Sequence, residues 1–174
     1  MKTSVRALLI LVAITLVLAR CTTLAERGTQ PAGSPPVITS SYATTKAFHG
    51  DDWRVYVEAN DPDGDMRYFV YTISTSGRGG RGEYVRVGKD NRAKILGYLC
   101  VFVAPPEDAI GEWAHFELTL HIQDSRGNTS DKVTFPAALA RGVKRDSPPL
   151  PFNTEGLKCL GRIWVAFRGP RGGP

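Results

Sequence analysis

From Trp53 to Ile73 apolar and polar residues alternate on either side of Asp61-Pro62-Asp63-Gly64-Asp65, the pattern of two strands joined by a tight turn. In Trp53-Arg54-Val55-Tyr56-Val57-Glu58-Ala59 the odd positions are apolar, so a strand of period two buries Trp53, Val55, Val57 and Ala59 on one face. Pro62 and Gly64 break the strand, and the neighbouring aspartates can bond back to the local backbone. The chain then resumes as Met66-Arg67-Tyr68-Phe69-Val70-Tyr71-Thr72-Ile73, which is apolar on both faces. A strand of that kind needs cover on both sides, and the segment carrying Trp164 and Phe167 is the expected cover for one of them.

The rest of the chain repeats the theme of short apolar runs between turn residues. Pro35 to Thr39 opens the first strand, with Ser40 to Asp52 as a connection. Ser76 to Gly82 is a glycine-rich loop that leads into Glu83-Tyr84-Val85-Arg86-Val87. Ala93 to Val103 forms a longer strand ended by Pro105-Pro106, and Trp113 to Gln123 is the cleanest alternating strand. Asp124-Ser125-Arg126-Gly127-Asn128 turns the chain back into Val133-Thr134-Phe135. A chain of 174 residues supports one domain with a proper core. About seven strands between residues 35 and 139 give an all-β fold, an immunoglobulin-like antiparallel β-sandwich.

The acidic turn, the strand from Gly111 to His121, and the hairpin Ile122 to Ser130 resemble bacterial Ig-like domains of the polycystin-repeat and cadherin-like kind. Those families carry a similar acidic turn after their second strand and a similar Asp-x-x-Gly-Asn hairpin before their last. The resemblance implies an extracytoplasmic domain used for adhesion, spacing or ligand display.

Outside that core lie three further segments. Lys2 and Arg6 precede an uncharged run from Ala7 to Ala19, the order of a secretory signal over residues 1–21. Leu18-Ala19-Arg20-Cys21 resembles the bacterial lipobox, which implies lipidation at Cys21 and a membrane anchor. Arg20 stands where that pattern has a small residue, and cleavage after Ala19 or Ala25 is the competing expectation. Residues 22–34 read as a tether, and residues 140–174 as a basic, Pro/Gly-rich extension. Within that extension Ala140 to Gly156 is expected to run as an extended linker and Gly161 to Phe167 to add an edge strand. The formal charge of +5 is matched by the excess of Arg141, Lys144, Arg145, Lys158, Arg162, Arg168 and Arg171 over Asp146 and Glu155. Basic charge confined to an extension is not a nucleic-acid groove, so no nucleic-acid partner is expected. The arginine-glycine run at Arg78 and Arg81 is read as a hairpin loop.

The candidate sites are few. Asp61, Asp63 and Asp65, with Asp124 from the later hairpin, offer hard oxygens to calcium, although Gly64 and Thr72 do not fit EF-hand spacing. Turn aspartates that cap backbone amides are the simpler alternative. Cys100 and Cys159 are candidates for a disulfide in an oxidising compartment. His115 and His121 share a strand face but lie about 20 Å apart, too far to share a metal. No Gly-x-Ser-x-Gly or His-Glu-x-x-His motif is present. The leading expectation is therefore a non-catalytic exported envelope protein, periplasmic, outer-membrane-anchored or secreted, that binds a protein or glycan partner. The first alternative is a calcium-assisted carbohydrate-binding module stacking sugars on Tyr68, Phe69, Tyr71 and Trp164. An enzyme with a triad assembled from distant loops is the second alternative.

Overall fold

The computed structural model describes residues 33–48, 50–75, 80, 82–104, 115–142 and 147–166. The signal segment, Cys21, most of the tether, the two loop arginines Arg78 and Arg81, Trp113 and Phe167 lie outside the described residues. Nine strands are described: β1 Val37–Ala43, β2 Lys46–Phe48, β3 Asp52–Asn60, β4 Met66–Thr75, β5 Gly82–Arg86, β6 Lys94–Ala104, β7 His115–Asp124, β8 Val133–Ala140 and β9 Cys159–Ala166. They form a four-stranded sheet in the order β1-β3-β6-β9 and a five-stranded sheet in the order β2-β8-β7-β4-β5.

Period-two patterning explains which side chains meet between the sheets. Trp53, Val55, Val57 and Ala59 of β3 are buried as the alternation requires, and so are Phe69 and Tyr71 of β4 and Phe116, Leu118, Leu120 and Ile122 of β7. Trp53 meets Phe116 edge to face across the core, with ring centroids 5.3 Å apart, and its indole N–H donates to the Thr44 carbonyl at 2.8 Å. That bond satisfies the one polar atom of the largest core side chain.

Three expectations about the strands are corrected. The sheets are mixed rather than purely antiparallel: β2 runs parallel to β8, and β9 runs parallel to β6. Ser40 to Asp52 is not a simple connection, since β1 continues to Ala43 and β2 follows it into the second sheet. The C-terminal segment does not lie over β4. Instead β9 takes the edge of the other sheet, with Ile163 and Val165 in the core and Trp164 exposed. Gly97 makes room for this arrangement, because a Cβ there would stand 2.8 Å from the Lys158 carbonyl oxygen.

The proline-rich stretch before β9 also departs from the extended linker. It folds as a strap on the outward face of the four-stranded sheet and drives Phe152 down to 2% exposure. The Phe152 ring sits 5.5 Å from that of Tyr56, whose other ring neighbours are Tyr42 and Tyr98. Tyr56 points away from the core by its register, yet it is buried because the strap covers it. Arg54 stacks its guanidinium on Tyr98 at 4.8 Å. Cys100 and Cys159 form a disulfide with Cα atoms 6.0 Å apart, which fastens the start of β9 to β6.

Candidate functional site

The acidic turn is the connection that carries the chain from β3 in the four-stranded sheet to β4 in the five-stranded sheet. Gly64 takes a positive φ of 68°, which a side chain would resist, and the Asp61 and Met66 amides bond to Ala93 and Arg92 ahead of β6. Asp61 is 4% exposed, and its two carboxylate oxygens accept from the backbone amides of Asp63 at 3.0 Å and Asp65 at 3.2 Å. Burial raises its pKa, the two amides oppose that rise, and the neighbouring Asp65 carboxylate adds to it.

The hairpin between β7 and β8 closes over this turn. Ser125 donates its hydroxyl to Asp65 Oδ2 at 2.5 Å and its amide to the Asp65 carbonyl at 3.0 Å. Arg126 places Nη1 3.1 Å from Asp63 Oδ2 and Nε 3.6 Å from Asp65 Oδ2, while the Ser34 amide donates to Asp63 at 2.8 Å. The acidic turn thus carries its own cation, supplied 63 residues later in the chain. Sequence reading missed Ser125 and Arg126, because nothing local says which loop a turn arginine will meet.

Asp61, Asp63 and Asp65 each bring one carboxylate oxygen within 4.8 Å of the others, a group that could coordinate a divalent cation. Asp65 Oδ1 is buried and has no hydrogen-bond partner among the described residues. Asp124 does not join that group. Its carboxylate caps its own turn, accepting from the amides of Arg126 and Asn128, both at 2.8 Å, and from Asn128 Nδ2 at 2.6 Å. Asp124→Ala leaves these donors without their acceptor at a site 2% exposed, and is expected to cost about 2 kcal/mol in urea unfolding. Asp124→Asn, which keeps an acceptor oxygen, should lose about half as much.

The four aromatic residues proposed as a stacking surface are not brought together. Phe69 and Tyr71 are in the core, at 1% and 6% exposure, so neither can stack on a sugar. The Tyr71 hydroxyl reaches the edge of the sheet and donates to Glu83 Oε2 at 2.7 Å; burial and that carboxylate raise its pKa well above the usual phenol value. Tyr68 and Trp164 lie on the outward faces of different sheets, with Trp164 66% exposed and packed on Phe102 at 5.0 Å. Tyr68 instead meets Tyr84 of β5, whose ring centroid is 4.9 Å away. The signal for Tyr84 was its place in Glu83-Tyr84-Val85-Arg86, where Val85 packs on the core and its neighbours must face outward.

His115 and His121 project from the outward face of β7, as the alternation requires. Burial and the nearby Lys132 lower the His121 pKa. His115, Glu117 and Ser74 share an open groove at one end of the five-stranded sheet, but no hydrogen bond joins them. Two further grooves, about 220 and 370 Å3, flank the strap and share Arg54, Tyr56, Ser147 and Pro148.

No protein-family model matches the chain, and no curated protein matches it in sequence. Among solved structures the chain is similar to a point mutant of the SrpA adhesin from Streptococcus sanguinis, at 21% identity and a TM-score of 0.35. The match covers 66% of this chain and 63% of the adhesin chain, so the chain spans less than two thirds of that structure.

Proposed function

We propose that this chain is an exported, non-catalytic recognition domain of the cell envelope with an immunoglobulin-like arrangement. The observation that carries the reading is the division of labour among its side chains. The converging carboxylates fasten two turns to each other, whereas large exposed aromatics, Tyr84 at 65% and Trp164 at 66%, stand on outward sheet faces. Flat faces bearing exposed aromatics suit binding of a partner surface better than turnover of a small molecule. The fold assignment is supported by the order β1-β3-β6 opposite β2-β8-β7-β4-β5, which resembles the two sheets of such domains with β9 filling an edge position. Export is supported by the Cys100–Cys159 disulfide and by the signal-like start of the sequence. Lipidation at Cys21 completes the reading as an anchor.

A second reading, calcium-assisted glycan binding, is favoured by the three clustered aspartates and the unpartnered Asp65 oxygen. One experiment addresses both. Labelled protein is applied to isolated envelopes and to a glycan array, in 1 mM calcium and in chelator. Saturable binding is expected, lowered at least fivefold by Trp164→Ser or Tyr84→Ser with no change in melting temperature. Absence of binding to both targets would sink the recognition reading. A calcium site with a dissociation constant near 10 μM would add about 2.7 kcal/mol of stability in 1 mM calcium. An unchanged melting temperature on chelation would leave Arg126 as the cation of that turn.

A further inference from the structure

We infer that the outward face of β4, β5 and β7 is a binding site for an acidic polysaccharide, centred on Tyr84, Tyr68, Arg67 and Arg86. The inference rests on the recognition reading above and names its ligand class. It starts from register. Tyr68 lies opposite Arg86, and Val70 lies opposite Tyr84, so all four side chains leave the same face of the sheet. The register shift between Met66 and Tyr68 turns Arg67 onto that face as well, with its guanidinium 5.1 Å from the Tyr68 ring centre. The Arg86 guanidinium lies 6.0 Å from the same ring.

Two cations therefore converge on one aromatic ring, and among the described residues neither has a carboxylate within ion-pair distance. Ring contacts of this kind stabilise a guanidinium modestly and leave its N–H fork available for a planar anion. Across the sheet His121 faces Val70 from β7, where burial and then the nearby Lys132 lower its pKa, so the positive charge on that side is the lysine's and not the imidazole's. The nearest carboxylate on this face of β7, Glu117, is opposite Ser74, beyond the row of Thr72 and Thr119.

The hydroxyls decide between ligand classes. Thr72, Thr119 and Thr134 sit side by side across three strands, with Thr119 and Thr134 hydroxyls 3.2 Å apart, and this row adjoins that of Val70, Tyr84 and His121, with Tyr68 and Arg86 one row beyond. The residues from Tyr68 to Thr72 span about 13 Å along the strand. A strip that offers an exposed ring face, guanidinium forks and then a line of hydroxyls fits a polymer with apolar ring faces, carboxylates and many hydroxyls. An acidic peptide would use only the forks. A nucleic acid would call for cations spaced along its whole backbone, and here they cluster around one ring.

The test titrates the full chain with polygalacturonate, in chelator and moderate salt, against neutral dextran, polyglutamate and a single-stranded DNA oligomer. Polygalacturonate is expected to bind at least tenfold more tightly than the other three. The double variant Arg67→Gln/Arg86→Gln should lose at least tenfold of that affinity and Tyr84→Ala about fivefold, with melting temperatures unchanged. Arg162→Gln, on the other sheet, should lose none. Equal binding of polyglutamate or DNA, an equal loss in Arg162→Gln, or no binding of polygalacturonate would each overturn the site. If such a failure came with binding to neutral glycans or envelope protein in the array experiment, the recognition reading would stand without this ligand.

Discussion

Replacing Cys100 and Cys159 together by serine is expected to lower the unfolding free energy by about 4 kcal/mol, because the bond closes a loop between residues 59 apart in sequence. The effect should be reproduced by reductant on the native chain and should be absent when reductant is added to the double variant. It should also be local in its first consequence. The bond fastens the beginning of β9 to β6, so its loss should raise amide exchange in Leu160 to Ala166 before the rest of the four-stranded sheet. A loss below 1 kcal/mol in urea unfolding would mean that β9 is held by packing of Ile163 and Val165 alone.

Phe152→Ala is expected to cost about 3 kcal/mol, the lower end for deleting a fully buried phenylalanine, since a surface strap can partly collapse into the space. The ring covers Tyr56 and anchors the turn around Pro149 and Pro151, so the variant should also expose the segment from Ser147 to Leu157 to proteolysis. Phe152→Leu should recover much of the loss, because an apolar side chain of similar reach still shields Tyr56. A cost under 1 kcal/mol with no new cleavage would return this stretch to the passive linker that its composition suggests.

What could be read from the sequence was set by how local each determinant is. β3, β4 and β7 declare themselves through alternation, and period two selects Trp53, Val55, Val57 and Ala59, Phe69 and Tyr71, and Phe116 to Ile122 by twos as the residues that face the core. Phe152 lies in Pro148-Pro149-Leu150-Pro151-Phe152, where proline dominates the composition and no periodicity marks a buried face. Its burial depends on Tyr56, nearly a hundred residues earlier, being left without cover on the outward side. The parallel pairing of β9 with β6 is equally nonlocal, because a strand's pattern shows which residues face inward and not which neighbour it will have.

The same limit applies to the site. Clustered aspartates at Asp61, Asp63 and Asp65 are visible in the sequence, but the cation that meets Asp63 and Asp65, Arg126, belongs to a hairpin that only the stacked sheets bring near. Asp124 looks like a fourth ligand in one dimension, yet the amides of its own turn occupy both of its oxygens. For the aromatics the error ran the other way. Phe69 and Tyr71 come from a strand that is apolar on both faces, and only the second sheet decides that their side is the interior one.

Because β9 is parallel to β6 and enters only after the strap has crossed the sheet, the four-stranded layer stays one strand short until Ala166 has emerged from whatever synthesises or exports the chain. Until then β6 presents a bare row of amides and carbonyls beside a reduced Cys100, an opening that another copy's strand or a stray thiol can occupy. Crowded production of this protein should therefore yield mixed-disulfide and strand-exchanged species that vanish when its synthesis is slowed.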